Sequence, residues 1–292
     1  MRRKIAGRQM LASPYLLWMI GFTIIPLVVI VKKAFTDPEG NFTFDNFLAI
    51  GEPINLKSFI FSLEIAIGCT LICILLAYPL VMALRKIGMS RGNFTLFFLI
   101  LPMWMNFVLR ILAWQMILSN NGILNLILTS IHLPAARIAN TPAAIIIGVV
   151  YDYFPYMMLP IFTAVSEIDE GVIESAKDLG ANGFTTFRKV ILPLSMPGLK
   201  SGITMVFVPS MTSFVIADLL GGGKLQLIGN IIEQEFSRST DWGLGSGLSV
   251  FLMAFILLTM AFSSGKVGIK KHVRPEASDD EIKASEEAGA DK

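Results

Sequence analysis

Six long, mostly apolar blocks run through this chain, at 11–31, 58–84, 94–118, 142–165, 199–220 and 248–264. A bilayer core of about 30 Å is crossed by roughly 20 apolar residues of helix. Inside it, a segment must satisfy its own backbone hydrogen bonds, which favours helices. The blocks therefore predict an all-α membrane protein with six transmembrane helices. Composition agrees, since 54% of the residues are apolar and only 16% are charged.

The first block follows Arg2, Arg3, Lys4 and Arg8, the start of many secretory signals. Lys32 and Lys33 stand where a cleavage site would need small residues, so a retained anchor is expected. Lys and Arg also set the orientation. With the N-terminus inside, the inner segments hold that basic start, then Arg85, Lys86 and Arg91, then Lys177, Arg188, Lys189 and Lys200, and a basic start to the tail. The outer loops hold only Lys32, Lys33, Lys57, Arg137, Lys224 and Arg238. This positive-inside bias predicts that both termini are cytoplasmic.

The chain accordingly divides into three parts. Residues 1–57 form the cytoplasmic N-terminus, first helix and first outer loop; 58–265 form a core that includes a cytoplasmic loop at 166–198; 266–292 form a cytoplasmic tail. The tail is acidic and rich in small residues beyond Pro275, and is expected to be disordered. Cys69 and Cys73 sit at helical spacing inside one apolar block, which suits packing better than a disulfide or a metal site. No basic and aromatic surface suggests nucleic acid.

The loop at 166–198 is built as more than a linker. Asp169 is placed to cap a short helix whose Val172, Ile173, Ala176 and Leu179 share one side. Gly180 follows, where a helix end calls for a left-handed residue. Phe184, Phe187, Val190 and Ile191 suggest a second helix, and Pro193 marks its end. Small residues at Ser175 and Ala176 admit a close partner, with Glu174, Lys177, Asp178, Arg188 and Lys189 as a polar rim. A surface helix resting on lipid headgroups is the competing reading, and the short apolar face and mixed charges weaken it.

These residues resemble the EAA motif of ABC importer permeases: EAA, three residues, Gly, nine residues, then I, any residue, L, P. Here the matching positions are Glu174, Ser175, Ala176, Gly180, Val190, Leu192 and Pro193, with Ser175 and Val190 as size-conserving departures. The resemblance implies a MetI-like type I importer fold and a coupling helix that docks on a separate ATPase subunit. ATP and Mg would then be bound by the ATPase, with no cofactor in this chain. The sequence holds no phosphate-binding G-x-x-x-x-G-K-[ST] loop; the run from Gly221 to Lys224 continues with Leu225.

Cargo is approached through the ionisable residues in or near the apolar blocks, Glu64, Arg110, Asp152 and Asp218, each costly unless it faces protein or water. Three of the four are acids. With Trp104, Trp114, Tyr151, Tyr153, Phe154 and Tyr156 they offer the carboxylates and aromatic faces that attract ammonium groups. An internal ion pair between Arg110 and one of the acids is the alternative, as are structural roles for Glu64 and Asp152.

The segments LPMWMNFVLR (101–110), SNNGILN (119–125), 141–160 and 208–236 are similar to the permeases of spermidine/putrescine importers. That resemblance implies a polyamine importer assembled from this permease, a second homologous permease, an ATPase dimer and an extracytoplasmic polyamine-binding protein. It points first to Trp104 and Asp218 as pathway residues; Glu64 and Asp152 rest on chemistry alone. Gly221, Gly222 and Gly223 predict a tight outer turn, followed by a short helix in LIGNIIEQEF that either receives the binding protein or closes the outer face. A permease for another cation or an amino acid remains open within this class. An ion-coupled secondary transporter using the same acids would leave the docking loop without a purpose. An intramembrane enzyme finds no motif, with His132 and His272 both outside the blocks.

Overall fold

The computed structural model of the chain describes residues 14–87, 100–238 and 242–263. The described residues are almost wholly helical, with one isolated bridge between Thr36 and Phe42. Helix α1 spans Pro14–Ala34 and widens into a π turn at Ile20–Ile24, just before Pro26. The short α2 (Asp45–Leu48) leads into the long α3 (Pro53–Lys86). A 3₁₀ turn at Leu101–Trp104 precedes α4 (Phe107–Leu118) and α5 (Ile123–Ser130). Helix α6 covers Pro142–Ser166. The loop at 166–198 forms α7 (Glu170–Asp178) and α8 (Gly183–Leu194), followed by α9 (Met196–Thr212), α10 (Phe214–Leu220), α11 (Ile228–Arg238) and α12 (Gly243–Ser263).

Among the described residues, five helical stretches are long and apolar enough to cross a bilayer, and a sixth is counted when α8 and α9, bent by 70° at Ser195, are taken as one span. Two expected blocks are broken. The third, of which 94–99 lies outside the described residues, turns extended at Met105 before Asn106 restarts a helix by accepting bonds from the Val108 and Leu109 amides. The fifth breaks at Ser213, separating α10 from α9. Hydropathy sums composition and does not register such breaks. The expected tail, 266–292, also lies outside the described residues.

Helices α3, α6 and α9 form the central packing unit. Tyr78, Val81, Met157, Met158, Ile161 and Val206 are buried in one cluster between them. Cys69 and Cys73 are buried and free, facing the Ile146 and Val150 carbonyls of α6, so their part is packing. Lipid tails are as apolar as leucine, so contact between membrane helices is set by how closely backbones approach. Gly198 and Gly202, four apart on α9, let it seat directly on α6: a Cβ at Gly198 would come 2.3 Å from the Pro160 carbonyl oxygen, and one at Gly202 2.7 Å from the Met157 sulfur. A second cluster joins α3, α4, α6 and α10 through Ile65, Ile111, Ile145, Val149 and Ile216. Helix α1 lies on α12, and its remaining surface, with Tyr15, Leu17 and Phe22, stays exposed, as a lipid-facing helix requires.

Candidate functional site

The loop at 166–198 is fixed by local hydrogen bonds that its sequence encodes. The Asp169 carboxylate accepts from the Gly171 amide at 2.7 Å and starts α7. Gly180 ends it at φ +84°, where the Gly180 amide donates to the Lys177 carbonyl (2.8 Å) and the Ala181 amide to the Ala176 carbonyl (3.0 Å). This pair of bonds is the Schellman closure, which requires the left-handed residue at Gly180. Asn182 then caps α8 by accepting from the Thr185 amide at 2.8 Å.

Helix α8 takes a π turn at Phe187–Ile191. Pro193, which has no amide hydrogen and crowds the carbonyl four residues before it, comes two residues after that turn, and the helix ends at Leu194. At the bend, the buried Tyr78 and Ser195 hydroxyls are hydrogen-bonded at 2.9 Å, and the Tyr78 ring meets the Phe187 ring edge-on.

Of the matched motif residues, Glu174, Ser175, Gly180 and Pro193 are exposed, while Ala176 and Leu192 are half-buried. Ile173 points inward at 5% exposure, whereas Leu179 (90%) and Phe184 (71%) project outward. Two large apolar side chains this open, beside small residues and a charged rim, make a compact knob suited to a protein groove.

Within the apolar part, Arg110 and Asp152 form an ion pair, both buried. Arg110 also donates to the Pro102 carbonyl at 2.8 Å and lies 5.9 Å from the centre of the Tyr151 ring. Asp152 is thus paired with Arg110, the internal ion pair that the sequence offered as the alternative to a carboxylate facing cargo. Trp104, at the end of the 3₁₀ turn that Arg110 holds, is 80% exposed. Trp114, Tyr151 and Phe154 gather with Pro102 in one apolar cleft of 590 Å³, which none of the three acids lines.

Asp218 is exposed on α10 and accepts a bond from the Asn230 side chain of α11 at 2.6 Å. The same Asn230 amide donates to the Phe214 carbonyl, and its oxygen accepts from the Leu227 amide. The Ser62 hydroxyl oxygen accepts from the Ile228 amide at 2.7 Å, fastening the start of α11 to α3. Glu233 of α11 is within electrostatic reach of Asp218. Glu64 lies apart, in a groove with Lys57, Lys224 and Gln226. Sequence reasoning missed Asn230; its signal was an amide set among the apolar residues of LIGNII (227–232), legible as a buried polar group in need of partners.

Comparison with known proteins places the chain. Residues 70–265 match the binding-protein-dependent transport system inner membrane component family. The chain is similar to the spermidine/putrescine transport system permease protein PotB of Haemophilus influenzae, with 38% identity over 249 residues covering 82% of this chain and 87% of that protein. PotB of Escherichia coli K12 is 36% identical over 244 residues, covering 80% and 88%. Among solved structures, a bacterial ABC transporter involved in importing the acidic polysaccharide alginate has a chain of similar fold, with a TM-score of 0.69, 17% identity and coverage of 90% of this chain and 94% of that one. With its multiple apolar helices, this chain is a multi-pass inner-membrane protein and a transport permease component rather than an enzyme, and it belongs to the family of binding-protein-dependent transport system inner membrane components.

Proposed function

We propose that this chain is the permease subunit of an ATP-driven importer for polyamines, spermidine and putrescine, and forms half of a pathway that alternates between outward and inward access. Similarity to PotB over four fifths of the chain carries the cargo assignment. The exposed knob at Leu179 and Phe184 supports docking on a separate ATPase.

In this reading Glu174, Ser175, Ala176, Gly180, Leu192 and Pro193 form the coupling element. The ATPase dimer binds ATP and Mg, and its closure pushes on α7. A second, homologous permease supplies the other half of the pathway, and an extracytoplasmic polyamine-binding protein delivers cargo to the outer face, where α11 receives it. Both termini are cytoplasmic, following the distribution of Lys and Arg. Trp104 and Asp218 attract cargo ammonium groups, with Glu64 as a further carboxylate, while Asp152 acts through its pair with Arg110.

The decisive experiment is uptake of labelled spermidine and putrescine into proteoliposomes holding this chain with its candidate permease, ATPase and binding-protein partners, with and without ATP. ATP-dependent uptake of either polyamine is expected. An assembled complex that hydrolyses ATP yet takes up neither would overturn the cargo assignment.

Asp218→Asn isolates the charge. Asparagine still offers an oxygen to the Asn230 amide, so the contact between α10 and α11 persists while the attraction for ammonium is lost. Uptake is expected to fall about tenfold, equivalent to about 1.4 kcal/mol, with subunit assembly unchanged. Parallel loss of assembly and uptake would make Asp218 structural.

A further inference from the structure

We propose that Arg85 is a positioning residue that makes the coupling loop and helices α3 and α6 move as one body. The inference rests on the coupling role proposed for α7.

Arg85 lies in the last turn of α3, and its guanidinium reaches three places at once. One terminal nitrogen donates to the Val165 carbonyl at 2.5 Å. The other donates to the Ile168 carbonyl at 2.9 Å and to the Glu170 carboxylate at 2.9 Å. Val165 is in the final turn of α6, Ile168 is in the connection that follows, and Glu170 is the first residue of α7. A helix C-terminus exposes carbonyls and carries partial negative charge, so a planar cation with several donors is well matched to it. The side chain is only 17% exposed, whereas Glu170 is 65% exposed. An ion pair so open to water adds little. The grip therefore lies mainly in the two carbonyl bonds, with Glu170 orienting the fork.

The loop has a second fastening to α3 at the bend, where Tyr78 meets Ser195. A push on the exposed knob thus reaches α3 at two heights. Without Arg85, α7 would be tethered to the core through its chain connections and the apolar contact of Ile173, free to tilt without carrying α3 and α6 with it.

The test compares Arg85→Gln, Arg85→Lys and Glu170→Gln in the reconstituted complex, measuring polyamine uptake and ATP hydrolysis in parallel, and hydrogen exchange of the amides of residues 170–178. Arg85→Gln is expected to lower uptake per ATP about tenfold and to speed exchange in α7. Arg85→Lys keeps the charge but loses the fork, and is expected to fall about threefold. Glu170→Gln is expected to change uptake per ATP less than twofold.

Loss of uptake and hydrolysis in equal proportion for Arg85→Gln, or unchanged exchange in α7, would overturn the inference. A wild-type complex that fails to couple ATP to uptake would instead count against the proposed function, and the exchange measurement would still decide whether Arg85 holds α7.

Discussion

Replacing Asp152 by asparagine is expected to destabilise the folded chain by about 3–5 kcal/mol, the cost of removing one partner from a buried ion pair. Arg110 would remain charged and buried, with its bond to the Pro102 carbonyl as the main compensation. Because that bond holds the 3₁₀ turn ending in Trp104, the turn is expected to loosen as well. The measurement is the amount of chain in the membrane and the thermal midpoint of the purified complex. A double replacement, Arg110→Met with Asp152→Leu, removes both charges and is expected to recover most of the lost stability, since a buried pair is often replaceable by apolar residues of similar volume. The outcome that would reverse this assignment is Asp152→Asn accumulating and melting like wild type while uptake is abolished; Asp152 would then serve cargo directly.

That pair also shows where the sequence stops being informative. The cost of a charge in an apolar block announced that both Arg110 and Asp152 needed partners, but not that they were each other's, because the contact joins positions forty-two residues apart on different helices. Span α6 was legible to within one residue, since its apolar run opens with a proline in the first turn, whereas α3 starts five residues before its expected block, in the more polar PINLK. The breaks at Met105 and Ser213 were not, since neither changes the average hydropathy of its block.

The loop at 166–198 was the most legible part of the candidate site. Its order is local: Asp169 caps and Gly180 closes, as the sequence implied, and the Asn182 cap, which was not read from the sequence, also acts on neighbours within five residues. Arg85 was visible only as one more inner-face cation, because its three acceptors lie eighty or more residues away.

Gly180→Leu is expected to uncouple the transporter. No neighbouring atom lies within 4 Å of a Cβ built at Gly180, so crowding at that atom is not the obstacle; the backbone is, at φ +84°. A side chain in the left-handed region costs roughly 1–2 kcal/mol. Relaxing that strain breaks the bonds from the Gly180 and Ala181 amides that close α7. Since 1.4 kcal/mol is tenfold in an equilibrium constant, the docking-competent loop falls to about a tenth of its population relative to competing shapes.

Membrane insertion, which depends on the apolar spans, is expected to be intact; ATP hydrolysis continues, and uptake per ATP drops about tenfold. Gly180→Ala carries the same backbone strain with little bulk and is expected to lie close to leucine. Gly180→Asn, whose side chain tolerates the left-handed region, is expected to retain most of the coupling. The ordering Gly, Asn, then Ala and Leu together is the signature of a conformational requirement. Equal losses for Asn and Leu would mean that the ATPase surface needs an empty position at Gly180, and normal coupled uptake by Gly180→Leu would remove the turn from the mechanism.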